Sequence, residues 1–212
     1  TDIPLIEYIA SKNKPIIFST GIAKVKEINE AISTCKKVGN KKIILLKCTS
    51  AYPAPLKEMN LNTIPDMKNS FNAVVGLSDH SLGITLPIAA VSLGAKIIEK
   101  HVILDRKLGG PDAKFSLEPQ EFKEMIKSIR TVEKALGKIN YKLTKSAKKN
   151  RQFARSLFVV KNIKTGEILT KENIRSIRPG YGLQPKFLKE IVGRKAKKDI
   201  KKGTPLSRKL IK

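Results

Sequence analysis

The chain has 212 residues, 41% of them hydrophobic, with 43 Lys and Arg against 18 Asp and Glu and a formal charge of +25. Two cysteines give no disulfide framework, and with no membrane-length apolar run or signal segment in view the expected setting is a reduced cytoplasm. The charge invites a nucleic-acid-binding module, but the cations are spread over the whole chain, aromatics reach only 5% and Trp is absent, so stacking platforms are scarce. A composition heavy in Lys, Ile and Asn, as an AT-rich genome produces, yields the same excess with no such partner.

Thr1 to Ala10, with Ile3, Leu5, Ile6 and Ile9, reads as a helix built to pack on an earlier strand. Because the chain also opens without Met, it is expected to be the carboxyl-terminal portion of a longer protein. Lys14 to Gly21 is an apolar run that closes in Ser19-Thr20-Gly21. Val25, Ile28, Ala31, Ile32, Cys35 and Val38 then recur at helical spacing. Lys42 to Ser50 is a second run ending in hydroxyls, Ser50 among them. Tyr52-Pro53-Ala54-Pro55 enforces an extended loop, since a residue before proline is steered away from helix. With two later runs, strands are expected at about residues 15–19, 43–48, 73–77 and 96–100. Strands this apolar are covered on both faces, as in a parallel sheet or barrel, and four βα units are half of an eightfold barrel.

The two histidines close the last two of these runs, His80 after Gly76-Leu77-Ser78-Asp79 and His101 after Ile97-Ile98-Glu99-Lys100. The stretch from Ile84 to Gly94 between them is long enough for one helix, so both imidazoles fall at the carboxyl edge of a βαβ unit, where α/β proteins collect ligands. Two separate loop-bonding histidines are the bland alternative. Matched positions, with Asp79, Glu99 and Asp112 nearby, favour a shared divalent ion. Hydroxyls and free amides at three strand ends suit an anion, although Ser, Thr and Gly are also ordinary turn residues.

The loop from Arg106 to Ser116 contains Gly109-Gly110-Pro111, which permits close backbone approach to a ligand, and then Asp112, whose alternative is a plain solvated carboxylate. Pro119 opens a helix whose stripe of Phe122, Met125, Ile126, Ile129, Val132 and Leu136 is core packing, ended by Gly137. From Lys134 to Lys164 there are ten Lys or Arg and no Asp or Glu. Residues 139–152, which lack apolar periodicity, are read as a linker between a first domain of residues 1–138 and a β-rich module of residues 153–212. In that module Asn162-Ile163-Lys164-Thr165-Gly166 through Thr170 is echoed by Asp199-Ile200-Lys201-Lys202-Gly203 through Ser207, predicting two hairpin-like arms related by pseudo-symmetry. Between them, Arg178-Pro179-Gly180 offers an arginine suited to an anionic or hydroxylated ligand.

Ser19-Thr20-Gly21, Cys48-Thr49-Ser50-Ala51-Tyr52-Pro53, Gly76-Leu77-Ser78-Asp79-His80, Glu99-Lys100-His101, Gly110-Pro111-Asp112 and Arg178-Pro179-Gly180, in this order, resemble the sialic acid synthase family over essentially the whole chain. Within it, Gly-Gly-Pro-Asp followed by Ala-Lys-Phe-Ser-Leu-Glu-Pro is closest to pseudaminic acid synthases. The resemblance implies an α/β fold, the carboxyl-terminal half of a (β/α)8 TIM barrel followed by a small β-clip, the antifreeze-like or SAF domain. It implies condensation of phosphoenolpyruvate with an amino sugar to a nonulosonic acid, pseudaminic acid before N-acetylneuraminate or legionaminate. By position, His80 and His101 resemble ligands of a divalent manganese or magnesium ion. Ser19, Ser50 and Ser78 resemble phosphoenolpyruvate contacts, and Tyr52 and Asp112 sugar contacts. Arg178 resembles the arginine that the small domain inserts into the partner's active site in a domain-swapped homodimer. The family's barrel lysines and glutamate lie on earlier strands and are absent from this sequence, so the resemblance implies that this portion alone is inactive. A bare antifreeze or carbohydrate-binding module is the other reading of the small domain, and the attached half-barrel with its histidine pair argues against it.

Overall fold

A computed structural model of the chain describes residues 2–212. It divides into two compact units, the first ending at Lys138 and the second spanning Ile139–Lys212.

The first unit alternates strand and helix. Helix α1 (Ile3–Ser11) starts at Asp2, whose side chain accepts from the Leu5 N–H, and buries Ile6 and Ala10. It leaves Leu5, Tyr8 and Ile9 exposed. Strand β1 (Ile16–Ser19) is followed by α2 (Val25–Lys37), where Glu27 reaches back to the Lys24 N–H as a cap. Strand β2 (Ile43–Cys48), helix α3 (Thr63–Phe71), strand β3 (Val74–Asp79), helix α4 (Thr85–Ser92), strand β4 (Ile97–Lys100) and helix α5 (Pro119–Leu136) complete the series. The strands are parallel in the order β1-β2-β3-β4, four βα units in sequence. Leu45, Val75 and Leu77 join Ile32, Cys35, Ile64 and Met67 in one core between sheet and helices. Each such fully buried side chain is worth about 1.5–3 kcal/mol relative to exposure.

Two features go beyond the sequence reading. Helix α3, a segment to which the sequence reading assigns no element, forms on Ile64 and Met67, both buried. The α5 stripe is only partly covered: Met125 is buried, whereas Ile126 and Leu136 are exposed.

In the second unit, the segment read as linker contains a short helix, α6 (Lys145–Asn150), started by Thr144 accepting from the Ala147 N–H. The Thr144 cap and lysines of good helix propensity are enough for one helical turn within the segment. Strands β5 (Ser156–Val159) and β6 (Ile174–Ile177) pair antiparallel, and a four-residue helix, α7 (Leu188–Ile191), follows. The two repeats are not separate hairpins; they interlock. Ile163 and Ile200 exchange both backbone hydrogen bonds, at 2.9 and 2.8 Å. Asn162 Oδ1 accepts from the Lys202 N–H and Asp199 Oδ1 from the Thr165 N–H, each at 2.8 Å. The Val159–Ile174 pairing recurs as Ala196–Ile211, and Phe158–Pro205 as Lys195–Ile168. Every residue in these pairs maps onto its counterpart at one constant offset, so the unit is a pseudo-two-fold. Its core is Leu157, Val159, Ile163, Leu169, Ile174, Ala196, Ile200 and Leu206.

Candidate active site

The register of β3 and β4 builds the site. Ser78 is paired with Glu99 and Asp79 with Lys100. Because side chains alternate across a strand, these two pairs lie on opposite faces of the sheet, and the next residues, His80 and His101, return to the face of Ser78 and Glu99. Ser78 Oγ donates to Glu99 Oε1 at 2.6 Å, and Lys100 Nζ donates to Asp79 Oδ2 at 2.7 Å with both side chains fully buried. The imidazole centroids of His80 and His101 are then 5.2 Å apart.

Loops complete the surroundings. The His80 carbonyl accepts from the Ala54 N–H at 3.0 Å, docking the proline loop so that the Tyr52 ring lies 4.2 Å from the His80 ring and 6.2 Å from that of His101. The His101 carbonyl accepts from the Leu117 N–H at 2.9 Å, which returns the Gly-Gly-Pro loop to the strand edge. Arg106 ties the two ends of that loop: its Nε donates to the Ser116 carbonyl at 3.1 Å, its N–H to Glu118 Oε1 at 3.0 Å, and its guanidinium pairs with Glu121. The Glu118 N–H and then Arg106 hold the Glu121 carboxyl below its ordinary value. Within the loop Asp112 Oδ2 lies 3.4 Å from His101 Nδ1, and buried Phe115 sits 5.0 Å from the His101 ring and 6.4 Å from that of His80.

Both histidines are oriented through Nδ1. His80 Nδ1 meets the Thr49 carbonyl at 3.0 Å, and His101 Nδ1 faces Asp112. Carbonyl and carboxylate partners of this kind suit an imidazole that carries its proton on Nδ1, which would leave Nε2 for a metal. Among the described residues no third His, Cys, Asp or Glu joins them as a ready three-ligand cluster. The donor set therefore fits a hard divalent cation that keeps most positions for substrate and water, and it does not fit a closed structural zinc site.

The remaining candidates fall into place as follows. Tyr52, Asp112, His80 and His101 are brought into one cluster at the carboxyl edge. Ser78 is buried and engaged with Glu99. Ser19 and Ser50 are exposed at the neighbouring strand ends. The turn after β1 lies so close to β2 that a Cβ on Gly21 would be 2.3 Å from Ser50 Oγ and 3.0 Å from Cys48 Sγ, so a larger residue would have to turn the Ser50 hydroxyl away. Arg178 belongs to the second unit, exposed just after β6. Its loop is pinned by the buried Ser156 hydroxyl, which donates to the Pro179 carbonyl at 2.7 Å and accepts from the Gly182 N–H at 2.9 Å. Sequence reading missed Thr49 and Phe115 as site-shaping residues. It also missed Lys47, which donates to the Cys48 carbonyl and to Thr49 Oγ1 and whose ammonium pKa is pushed down by burial.

Two family models match the chain, the NeuB family over residues 1–141 and the SAF domain over residues 154–212. The chain belongs to the NeuB family. The pseudaminic acid synthase of Campylobacter jejuni subsp. jejuni strain 81-176 is 48% identical over 205 residues, covering 97% of this chain and 60% of that protein. The pseudaminic acid synthase of Helicobacter pylori strain 26695 is 48% identical over 207 residues, covering 97% and 61%. The crystal structure of the spore coat polysaccharide biosynthesis protein SpsE from Bacillus subtilis superposes with a TM-score of 0.59 at 38% identity, covering 96% of this chain and 63% of that one. The chain thus spans about three fifths of the curated relatives it matches. Its first unit is a half-barrel of the TIM type, and a SAF domain follows.

Proposed function

We propose that the complete protein condenses phosphoenolpyruvate with the open-chain aldehyde of an N-acylated amino sugar, a diacetamido 6-deoxyhexose, forming pseudaminic acid and releasing phosphate. The observation that carries this reading is the cluster of His80, His101, Tyr52 and Asp112 at the carboxyl edge of a NeuB half-barrel. His80 and His101 would hold a manganese or magnesium ion through their Nε2 atoms. When bound, such an ion supplies Lewis-acid polarisation of the aldehyde oxygen. Asp112 is suited to orient sugar hydroxyls and amide, and the half-exposed Tyr52 ring to cover the sugar's apolar face. The exposed hydroxyls of Ser19 and Ser50 suit the phosphate and carboxylate of phosphoenolpyruvate, and Ser78 would join them only by turning its one O–H away from Glu99. Glu99 and Asp112 are the carboxylates available to stabilise positive character on the former enol carbon until water adds. Arg178, on its pinned loop, would complete the site of the partner chain in a domain-swapped dimer.

The test uses the complete protein, stripped of metal and resupplied with manganese or magnesium, with phosphate release followed for a diacetamido 6-deoxyhexose, a legionaminate precursor and N-acetylmannosamine. The first acceptor should be preferred. His80→Ala or His101→Ala should lower kcat/KM by about a thousandfold, the several kcal/mol that such a Lewis acid supplies. Full activity in both variants, or no phosphate release with any of the three sugars, would overturn the assignment. Mixing Arg178→Ala with His80→Ala protein should restore activity if the arginine acts across chains.

A further inference from the structure

Lys100 and Asp79 form a buried ion pair with no evident need for charge. Both side chains are fully buried, the Nζ–Oδ2 distance is 2.7 Å, and the two residues are register partners on β3 and β4. Both also grip the backbone of Ser81: Asp79 Oδ1 accepts from its N–H at 3.0 Å, and Lys100 Nζ donates to its carbonyl. Ser81 itself is buried, and its hydroxyl has no partner among the described residues, so the side chain contributes nothing to holding this turn. His80 is therefore bracketed, with Asp79 on one side and a clamped Ser81 on the other, while His101 directly follows Lys100.

We propose that Asp79 and Lys100 are positioning residues for the His80–His101 pair: by locking the Ser81 backbone to the β4 end, they set the direction in which each imidazole leaves the sheet. This rests on the reading of the two histidines as holders of a divalent ion, and deepens it. Burying two charges costs desolvation that their attraction barely returns, and apolar replacements of similar volume are often as stable or more so. For packing alone a Leu–Met pair would serve. What an apolar pair cannot do is bind the N–H and carbonyl of Ser81. With only two protein ligands, the angle between them has no third ligand to correct it, so the clamp acts directly on affinity.

The experiment compares the complete wild-type protein with its Asp79→Leu/Lys100→Met variant, which removes both grips, and with Asp79→Asn/Lys100→Met, which removes the grip on the Ser81 carbonyl and leaves no buried charge. Thermal unfolding establishes that each variant is folded. Two readouts follow. In metal-free protein, the His80 Nδ1 proton, held on the Thr49 carbonyl, is observed by NMR. Manganese affinity is then measured by paramagnetic resonance, with His101→Ala as the reference for a lost ligand. The expected result for Asp79→Leu/Lys100→Met is an unfolding temperature equal to or above wild type, a broadened or exchanged His80 ring proton, and manganese binding weakened about 10–100-fold, the usual effect of losing outer-shell orientation. The Asn/Met variant should show the same loss in smaller measure and decides the question if the Leu/Met variant does not fold. A sharp His80 ring proton with affinity within twofold of wild type, in a folded variant, overturns the proposal. If the complete wild-type protein binds no manganese, the metal reading fails by itself, and the ring proton still decides whether the pair positions His80.

Discussion

Gly76 lies in β3 between Leu46 of β2 and Ile97 of β4, and replacing it with Ala tests how the site depends on strand spacing. An added Cβ would sit 2.4 Å from the Ile97 carbonyl oxygen, 2.6 Å from Leu46 Cδ2 and 3.0 Å from Ile97 Cβ. The Leu46 methyl can rotate aside, but the carbonyl is backbone and can yield only if β4 moves. Reaching ordinary contact at 3.4 Å needs a displacement of about 1 Å, roughly a fifth of the normal spacing between strands. Carried two residues along the register, the same parting would stretch the Ser78–Glu99 bond from 2.6 Å to about 3.6 Å, past hydrogen-bonding range. Overpacking of this kind costs about 1–3 kcal/mol. Gly39→Ala is the control, because its methyl meets nothing within 4 Å while φ is +87°, a strain of about 1–2 kcal/mol remote from the site. Urea unfolding followed by far-UV circular dichroism should show similar losses for both variants, whereas only Gly76→Ala should shift the His80 and His101 ring signals in NMR spectra. If Gly76→Ala unfolds within about 0.5 kcal/mol of wild type, the size expected of an innocuous substitution, or moves those signals no more than Gly39→Ala, the coupling of spacing to site is wrong.

Phe115 touches both imidazoles and is 2% exposed. Phe115→Ala should therefore cost about 3–5 kcal/mol in urea unfolding and broaden both ring signals, whereas stability loss with unchanged ring signals would make it core filling alone. In the second unit, the Thr165 N–H, then Lys164 Nζ and the Thr165 hydroxyl, lower the Asp199 pKa from 3.8 to about 2. A carboxylate pKa depressed on folding stabilises above its unfolded value and loses that contribution as pH falls through the folded one, so protection of the Thr165 amide from hydrogen exchange should decline between pH about 4 and about 2. Asp199→Asn should remove this pH dependence yet keep the cap, since Asn162 makes the equivalent bond to Lys202 across the pseudo-two-fold. An unchanged acid decline in that variant would place its origin elsewhere.

The strands were legible because apolar runs bounded by turn residues have few other uses, yet β3 runs two residues past its apolar stretch. Ser78 and Asp79 read as loop in one dimension and become strand only because Glu99 and Lys100 stand opposite them. Helix α3 was hidden for a related reason: Asn60, Asn62 and Pro65 mark a turn, while Ile64, Met67 and Phe71 carry too short a stripe to contradict them. The histidine pair could be placed from sequence because each ends a strand. Thr49 and Phe115 could not, since one acts through a backbone carbonyl and the other through a loop whose path Arg106 sets. Nor does anything local mark Lys100 as buried; lysines mostly lie exposed, and only the facing Asp79 makes this one different.

That contrast bears on how the proposed two-histidine site would attain definite geometry. An ion held by two imidazoles alone would keep most of its coordination sphere for other ligands, so the angle between the rings would have to be supplied by the protein. Here parallel β-pairing supplies it by alternation: Ser78–Glu99 on one face, Asp79–Lys100 on the other, His80 and His101 back on the first. Each step is tied side chain to side chain or ring to ring, at 2.6, 2.7 and 5.2 Å respectively. A one-residue slip of β4 would turn Lys100 to the face of the site and His101 away from it. The polar pairs thus penalise the wrong register more than they stabilise the right one, because a slip strands the charges of Asp79 and Lys100 without partners in the interior. The chemistry of the edge and the specificity of the sheet are in this sense carried by the same eight-residue frame, Ser78–Ser81 and Ile98–His101.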